Sequence, residues 1–256
     1  MRNNPIKETL AAGGVAYGTM AFEFFTPNLA QICAAAGAEF LLYDMEHSGL
    51  GFDALKSQFA ACRGAGLVPL VRVPATQYHF IARALDLGAM GIMVPMVETP
   101  DQARQIVAAT RYPPDGVRGA AFGVAPHDDY IAGPVSEKIA RAHERTLVIC
   151  LIETAKGHAK VDAIAAVPGV DVCWLGHFDL TNFMGIPAQF DHPRYLQAVD
   201  DIVAACRRNA KTAGFMAADE KWAKTYRDKG FRMIAYGVDV LLLQDALSAG
   251  LKALRE

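Results

Sequence analysis

Four short apolar runs in this sequence end in groups that can move protons, bind cations or hold anions. F-L-L-Y-D-M-E-H runs into Asp44, Glu46 and His47, and V-P-L-V-R-V carries Arg72 inside an otherwise apolar stretch. L-V-I-C-L-I-E-T delivers Glu153, and V-D-V-C-W-L-G-H-F-D-L delivers His177 and Asp179. A guanidinium among aliphatic side chains must be paired or face a wet site, because burying a lone cation is very unfavourable. Arg72 is therefore either half of an interior salt bridge or a fork that grips a carboxylate or enolate, which arginine does better than lysine. Glu153 and Asp179, if neighbours, raise each other's pKa unless a cation sits between them. Two carboxylates with no lysine nearby suit a hard divalent metal, with water and substrate oxygens completing its shell. Oxygen ligands without thiolate favour magnesium or manganese over structural zinc. The alternative is that one of these acids merely caps the helix after it. Asp44 lies three positions before His47, where it could accept one imidazole N–H and orient the ring as a general base. Asp44 could equally satisfy backbone amides, and Glu46 could serve as an ion-pair partner or turn acceptor.

The elements that must position these groups alternate from end to end. Strand-like segments fall near 15–22, 40–44, 68–73, 91–96, 147–152, 170–175, 212–217 and 233–238. Helical periodicity fills 52–65, 77–87, 101–110, 155–166, 193–209, 220–229 and 240–254. Strands followed by helices point to a parallel sheet with crossover connections, and continuous apolar runs point to strands covered on both faces. Eight such units predict one closed (β/α)8 TIM barrel, a single α/β domain over 1–256. No G-x-G-x-x-G follows the first strand, which disfavours a dinucleotide-binding sheet. In a barrel, catalytic groups come from the C-terminal strand ends, where the four runs place theirs. Glu23, Glu98, Asp219 and Asp239 follow the other strands less sharply.

Composition narrows the partners. Acids outnumber lysine and arginine 27 to 25, for a formal charge of −2, with no long block of one sign. That disfavours nucleic acid or an anionic membrane as the main partner. No apolar run suits a membrane span, and M-R-N-N-P-I-K-E has no secretory-type stretch. Five scattered cysteines without C-x-x-C read as reduced thiols, so the expectation is a soluble cytoplasmic protein. No lysine ends a strand in an apolar setting, which disfavours Schiff-base chemistry. The Pro-, Gly- and Asp-rich stretch between Arg111 and Arg145 is expected to form a lid or binding loop, with His127 able to close over the barrel mouth. The other histidines outside the strand ends read as surface residues. A second excursion, F-M-G-I-P-A-Q-F-D-H-P, follows the sixth strand.

Y-D-M-E-H, L-V-R-V, G-I-M-V-P-M-V, R-Y-P-P-D-G-V-R-G, I-E-T and G-H-F-D-L-T, in this order, resemble the HpcH/HpaI family of class II aldolases. The resemblance runs from about Gly18 to about Leu247, and R-Y-P-P-x-G-x-R-G is its most telling stretch. It implies a metal-dependent lyase that splits 4-hydroxy-2-oxo acids into pyruvate, or an analogue such as hydroxypyruvate, and an aldehyde by way of a metal-bound enolate. It implies Glu153 and Asp179 as ligands of Mg²⁺ or Mn²⁺ (Co²⁺ also fits), His47 as general base and Asp44 as its dyad partner. Arg72 would face the pyruvate oxygens, with the amides around Gly176, His177 and Phe178 holding the carboxylate. Family members assemble as hexamers, trimers of dimers that exchange the C-terminal helix. Leu241, Leu242, Leu243, Leu247, Leu251 and Leu254 could serve that exchange here or pack on their own barrel.

Three departures from the family pattern bear on specificity. Leu151 stands where the family often has Gln, G-H-F-D replaces G-P-A-D or G-P-N-D, and the loop after R-G lacks an arginine. Leu151 alters the lining beside the metal, while His177 and Phe178 could favour an aromatic or less charged acceptor. Two rivals remain open: oxaloacetate decarboxylation or acyl-CoA lysis on the same site, and a non-catalytic barrel that binds 2-oxo acids. A CoA substrate would want a basic rim, and no such cluster stands out.

Overall fold

Alternate side chains of a strand point to opposite faces, so an unbroken apolar run must be covered on both. In the computed structural model, which describes residues 1–255, that cover is an inner core and an outer helical layer. The described strands are β1 (Ala16–Ala21), β2 (Phe40–Asp44), β3 (Val68–Arg72), β4 (Gly91–Val94), β5 (Leu147–Ile152), β6 (Val172–Leu175), β7 (Thr212–Ala217) and β8 (Met233–Val238). They pair in chain order and β8 returns to β1, closing the expected barrel. Around it lie α1 (Pro5–Ala11), α2 (Leu29–Ala35), α3 (Phe52–Ala65), α4 (Tyr78–Asp86), α5 (Pro100–Thr110) and α6 (Val135–Arg145). α7 (Ala155–His158), α8 (Val161–Ala165), α9 (His177–Phe183), α10 (Pro193–Arg208), α11 (Glu220–Lys229) and α12 (Asp239–Ala253) complete the ring.

Residue parity sorts the two cores. Phe40, Leu42, Leu70, Ile149, Leu151 and Trp174 fill the barrel interior. Leu41, Tyr43, Val71, Val148, Cys150 and Cys173 face the helices. The indole of Trp174 needs Gly214 beside it on β7, since a Cβ there would lie 2.2 Å from the ring. α1 plugs one end of the cylinder with Ile6 and Leu10, and Asn4 Nδ2 ties it to the carbonyls of Met90 (3.0 Å) and Arg145 (2.8 Å). Both carbonyls precede strands, so the strand-start end is closed and the other end is open.

Several expectations need correction. α1, α2, α6 and α9 were not legible as helices, and the single helix expected over 155–166 is two short ones interrupted at Lys160. The stretch after Arg111 is not a lid over the mouth. Its 3₁₀ turn Pro126–Asp128 docks at the plugged end, where Pro126 O accepts from Arg63 Nη2 (2.8 Å) and Asp129 Oδ2 accepts from Arg2 N (2.7 Å). His127 is 1% exposed, and Arg145 Nη2 donates to its carbonyl. Asp129 is ringed there by Arg2 (3.5 Å), Arg63 (3.4 Å) and the buried Arg145 (3.7 Å), which hold the segment down. His143 is likewise structural: its Nε2 accepts the Tyr112 N–H at 2.8 Å. All five cysteines are free and four are buried. Among the described residues no helix is long and apolar enough to cross a membrane.

Candidate active site

The interior parity of three strands continues one step past the apolar core. Residues 40 and 42 point inward, so Asp44 does too; 68 and 70 are followed by Arg72; 147, 149 and 151 by Glu153. Each charged group therefore sits at the open rim of the interior, above a floor of Leu70, Leu151 and Trp174. A cavity of about 420 Å³ opens there, lined by His47, Arg72, Glu153, Asp179 and the turn Gly176–Phe178.

Asp44 and Arg72 are register partners on β2 and β3. Arg72 Nε donates to Asp44 Oδ1 at 2.5 Å, and its Nη1 lies 3.2 Å from Glu46 Oε2. Asp44 is fully buried, and its two oxygens also accept the N–H groups of Glu46 (3.2 Å) and His47 (2.8 Å). The expected dyad is thus corrected. Asp44 holds the His47 backbone, not its ring, because both carboxylate oxygens are already engaged by the turn and by Arg72. The imidazole projects into the mouth, with Nε2 3.7 Å from Glu46 Oε2. Glu46 combines two roles, ion-pair partner to Arg72 and acidic neighbour of His47. Burial raises its pKa, with Asp44 and Asp179 adding to the rise while Arg72 and His47 oppose it.

Glu153 is 2% exposed, and its Oε1 accepts the Met96 N–H at 2.7 Å. Burial pushes its pKa up to about 8; the Met96 amide opposes this, and the charges of Glu46 and Asp179 add to it. The charge of Arg72 also opposes the rise. Gly176 is what lets Glu153 sit there, since a Cβ on it would lie 2.5 Å from the Glu153 Cβ and 2.8 Å from Oε2. Asp179 lies in the first turn of α9, half-buried. His177, one strand end over, is sealed among Phe178, Phe190, Phe215 and Trp222, with ring centroids 4.6–5.5 Å away. Burial pushes its pKa down to about 4, so the ring is neutral near pH 7. Among the described residues no lysine lines the cavity.

Three of the four less sharply placed acids prove structural. Asp239 accepts the N–H groups of Phe22, Glu23 and Phe24, Asp219 caps α11 through Trp222 N, and Glu98 pairs with Lys156 at 2.7 Å. Two residues escaped the sequence reading. Met96 has a left-handed backbone (φ 55°), uncommon for a non-glycine residue, which accompanies its amide's bond to Glu153. Gln102 steadies that loop: its Nε2 donates to Met96 O (3.0 Å) and Thr76 Oγ1 (2.8 Å), and its Oε1 accepts from Glu98 N (2.9 Å). Neither carries a local signal, because a turn amide and a helix-borne glutamine look ordinary until the loop is folded.

Known proteins share this arrangement of chain. Residues 21–246 match the family model described as HpcH/HpaI aldolase/citrate lyase. A hydroxypyruvate/pyruvate aldolase from Deinococcus radiodurans is 37% identical, over 95% of this chain and 87% of its own. A 2-keto-3-deoxy-L-rhamnonate aldolase from Salmonella gallinarum is 33% identical, over 97% of this chain and 92% of its own. The crystal structure of an HpcH/HpaI aldolase from Desulfitobacterium hafniense superposes with a TM-score of 0.93 at 30% identity, covering 98% of this chain and 96% of that one. Barrel, matched span and relatives agree: the chain belongs to the HpcH/HpaI aldolase/citrate lyase family.

Proposed function

We propose that this carbon–carbon lyase cleaves 4-hydroxy-2-oxo acids reversibly to pyruvate, or hydroxypyruvate, and an aldehyde at the open rim of the barrel. The observation that carries the reading is that His47, Arg72, Glu153 and Asp179, from four different strand ends, line one cavity. The relatives' names support the same reaction class.

A divalent metal fits the residues present. Two carboxylates influence each other there, one of them is buried and pushed up to about 8, and no lysine offsets them. Among the described residues no set of three His, Cys, Asp or Glu groups encloses an ion, so Glu153 and Asp179 would be the protein ligands of a cation otherwise held by water and substrate oxygens. Oxygen donors favour Mg²⁺ or Mn²⁺, with Co²⁺ as a further candidate. Such an ion supplies Lewis-acid polarisation of the 2-oxo group.

The chain's own groups do the rest. Arg72, held by Asp44 and Glu46, presents its guanidinium to negative charge growing on the oxo-acid oxygens, and its fixed orientation needs no rearrangement as that charge appears. The N–H groups of the first turn of α9, from His177 onward, have no intrahelical acceptor and suit the substrate carboxylate. His47, its backbone fixed by Asp44, takes the proton of the 4-hydroxyl. As that proton leaves, the C3–C4 bond breaks, its electron pair moves onto the pyruvate unit, and C4 departs as the aldehyde carbonyl. A proton delivered to C3 completes pyruvate. The buried apolar floor of Leu151 and Trp174 keeps water from C3 until then.

α12 supports assembly through exchange of that helix between copies. Asp239 is its only buried residue among those described, while Leu243, Leu247 and Leu251 are exposed on one stripe. Beside its start lies an apolar groove of about 450 Å³, lined by Phe24, Leu29, Ile32, Leu41 and Leu242, which a second copy's helix would fill. Dimers of this kind would build the hexamer. The unpaired cysteines support a reducing, cytoplasmic setting.

The reaction is tested with pyruvate, an aldehyde and purified protein. Removing metal with a chelator should abolish aldol formation and cleavage, and Mg²⁺ or Mn²⁺ should restore both. Trapping of a lysine–pyruvate adduct by borohydride would overturn the scheme.

A further inference from the structure

The cavity is larger than a three-carbon oxo acid requires, and the surplus has a definite chemistry. Beyond the charged rim its walls are Phe22, Leu151, Phe178, Met216, Val240 and Leu241. Among the described residues Arg72 is the only arginine or lysine that lines it; its Nε is held by Asp44 at 2.5 Å and its Nη1 by Glu46 at 3.2 Å, which fixes the guanidinium at the rim for the oxo acid. His177 is sealed in its cage of rings, 5% exposed, and offers no face to a polar tail. Phe178, by contrast, is 55% exposed, with its ring 4.6 Å from His177 and packed edge-on at 5.3 Å against Phe190. A large exposed ring braced by two others at the lip of a pocket is a platform, not a core residue.

We propose that the aldehyde partner of this lyase is uncharged and carries an apolar, ring-bearing tail, selected by Phe178 and Leu151. The inference rests on the aldolase reading of the same site. A carboxylate or phosphate tail reaching past the rim would meet Phe22, Leu151, Phe178 and Met216, with no lysine or arginine beyond Arg72 among the described lining residues to answer its charge. A polyhydroxylated tail would leave hydroxyls without partners against Phe22, Leu151 and Leu241, at a cost for each one desolvated. An aryl tail meets neither penalty and can lie against the Phe178 ring in offset or edge-on contact. In the synthetic direction a proton leaves C3 of pyruvate, C3 bonds to the aldehyde carbon, and the aldehyde oxygen gains a proton, so no further reactant is needed.

The test uses metal-loaded, full-length protein with pyruvate and three acceptors: benzaldehyde, glyceraldehyde and succinic semialdehyde. Loss of the pyruvate C3 proton to D₂O is followed separately, without any aldehyde. The expected result is a kcat/KM for benzaldehyde about tenfold or more above either of the others, a ratio that falls towards unity in Phe178→Ala and in Leu151→Gln. A residue that merely supports the fold would scale all three acceptors together and leave the ratio unchanged, which overturns the assignment to Phe178 and Leu151. Preference for glyceraldehyde or the semialdehyde by the unaltered enzyme overturns the acceptor class while proton exchange persists. Absence of exchange overturns the lyase reading, and this inference with it.

Discussion

Asp44 and Arg72 stand opposite each other on adjacent strands, 28 residues apart, and share a 2.5 Å hydrogen bond with no water-exposed surface on the acid. That one carboxylate ties together the arginine, the turn that carries Glu46, and the backbone of His47. Asp44→Ala should therefore act on stability as well as turnover. Removing one partner of a buried pair costs about 3–5 kcal/mol, because the other charge is stranded. A urea denaturation midpoint equal to that of the unaltered protein would show that the pair is not integral to the fold.

Glu153 sets a pH dependence that only the metal-free protein displays. Its carboxyl is pushed up to about 8 in the folded state by burial, with help from Glu46 and Asp179, against roughly 4.3 in the unfolded chain. Between those values the folded state holds a proton that the unfolded state has lost. This contribution to stability is complete at low pH and disappears as pH rises towards 8. Denaturation midpoints at pH 5 and pH 8 should show the drop, and Glu153→Gln should flatten it. Equal slopes for the two proteins would remove Glu153 as the cause.

Gln102 touches neither cavity nor substrate, yet it anchors the loop whose Met96 amide bonds Glu153. Gln102→Leu should weaken Mn²⁺ binding about tenfold or more, the range typical when an outer partner of a metal ligand is lost. Titration followed by the free-ion EPR signal reads this directly. A fall in melting temperature with unaltered Mn²⁺ affinity would reduce Gln102 to a fold-stabilising role.

The stripe Leu243, Leu247 and Leu251 on α12 faces solvent in a single copy. Leu243→Glu combined with Leu247→Glu should shift the sedimentation coefficient from that of an oligomer to that of a monomer. An unchanged assembly would mean that the copies meet elsewhere.

Much of this molecule is local. Strand runs such as L-V-I-C-L-I and the helices between them were legible because burial on both faces, and amphipathic spacing, are properties of neighbouring residues. That Asp44, Arg72 and Glu153 share a face with Leu42, Leu70 and Leu151 is local too, by period-two alternation; that this face is the inward one is decided by closure of the barrel, since both faces of each run are apolar. The short helices α2 and α9 and the broken stretch 155–166 were not legible, since one or two turns provide too little periodicity.

Partnership was decided only by the folded chain. Sequence spacing suggested that Asp44 serves the His47 ring; strand register gave its Oδ1 to Arg72 and its turn amides took the remaining capacity. Proline and glycine content suggested a lid after Arg111; Arg63 and Arg145, donating to the carbonyls of Pro126 and His127 at the plugged end, hold that segment away from the mouth. A carboxylate has few lone pairs and a loop has one resting place, and competition for them is resolved among groups that are distant in the chain. The sequence could therefore name the reactive groups and the end of the barrel they occupy, while three-dimensional packing chose which of them hold one another and which remain open to substrate.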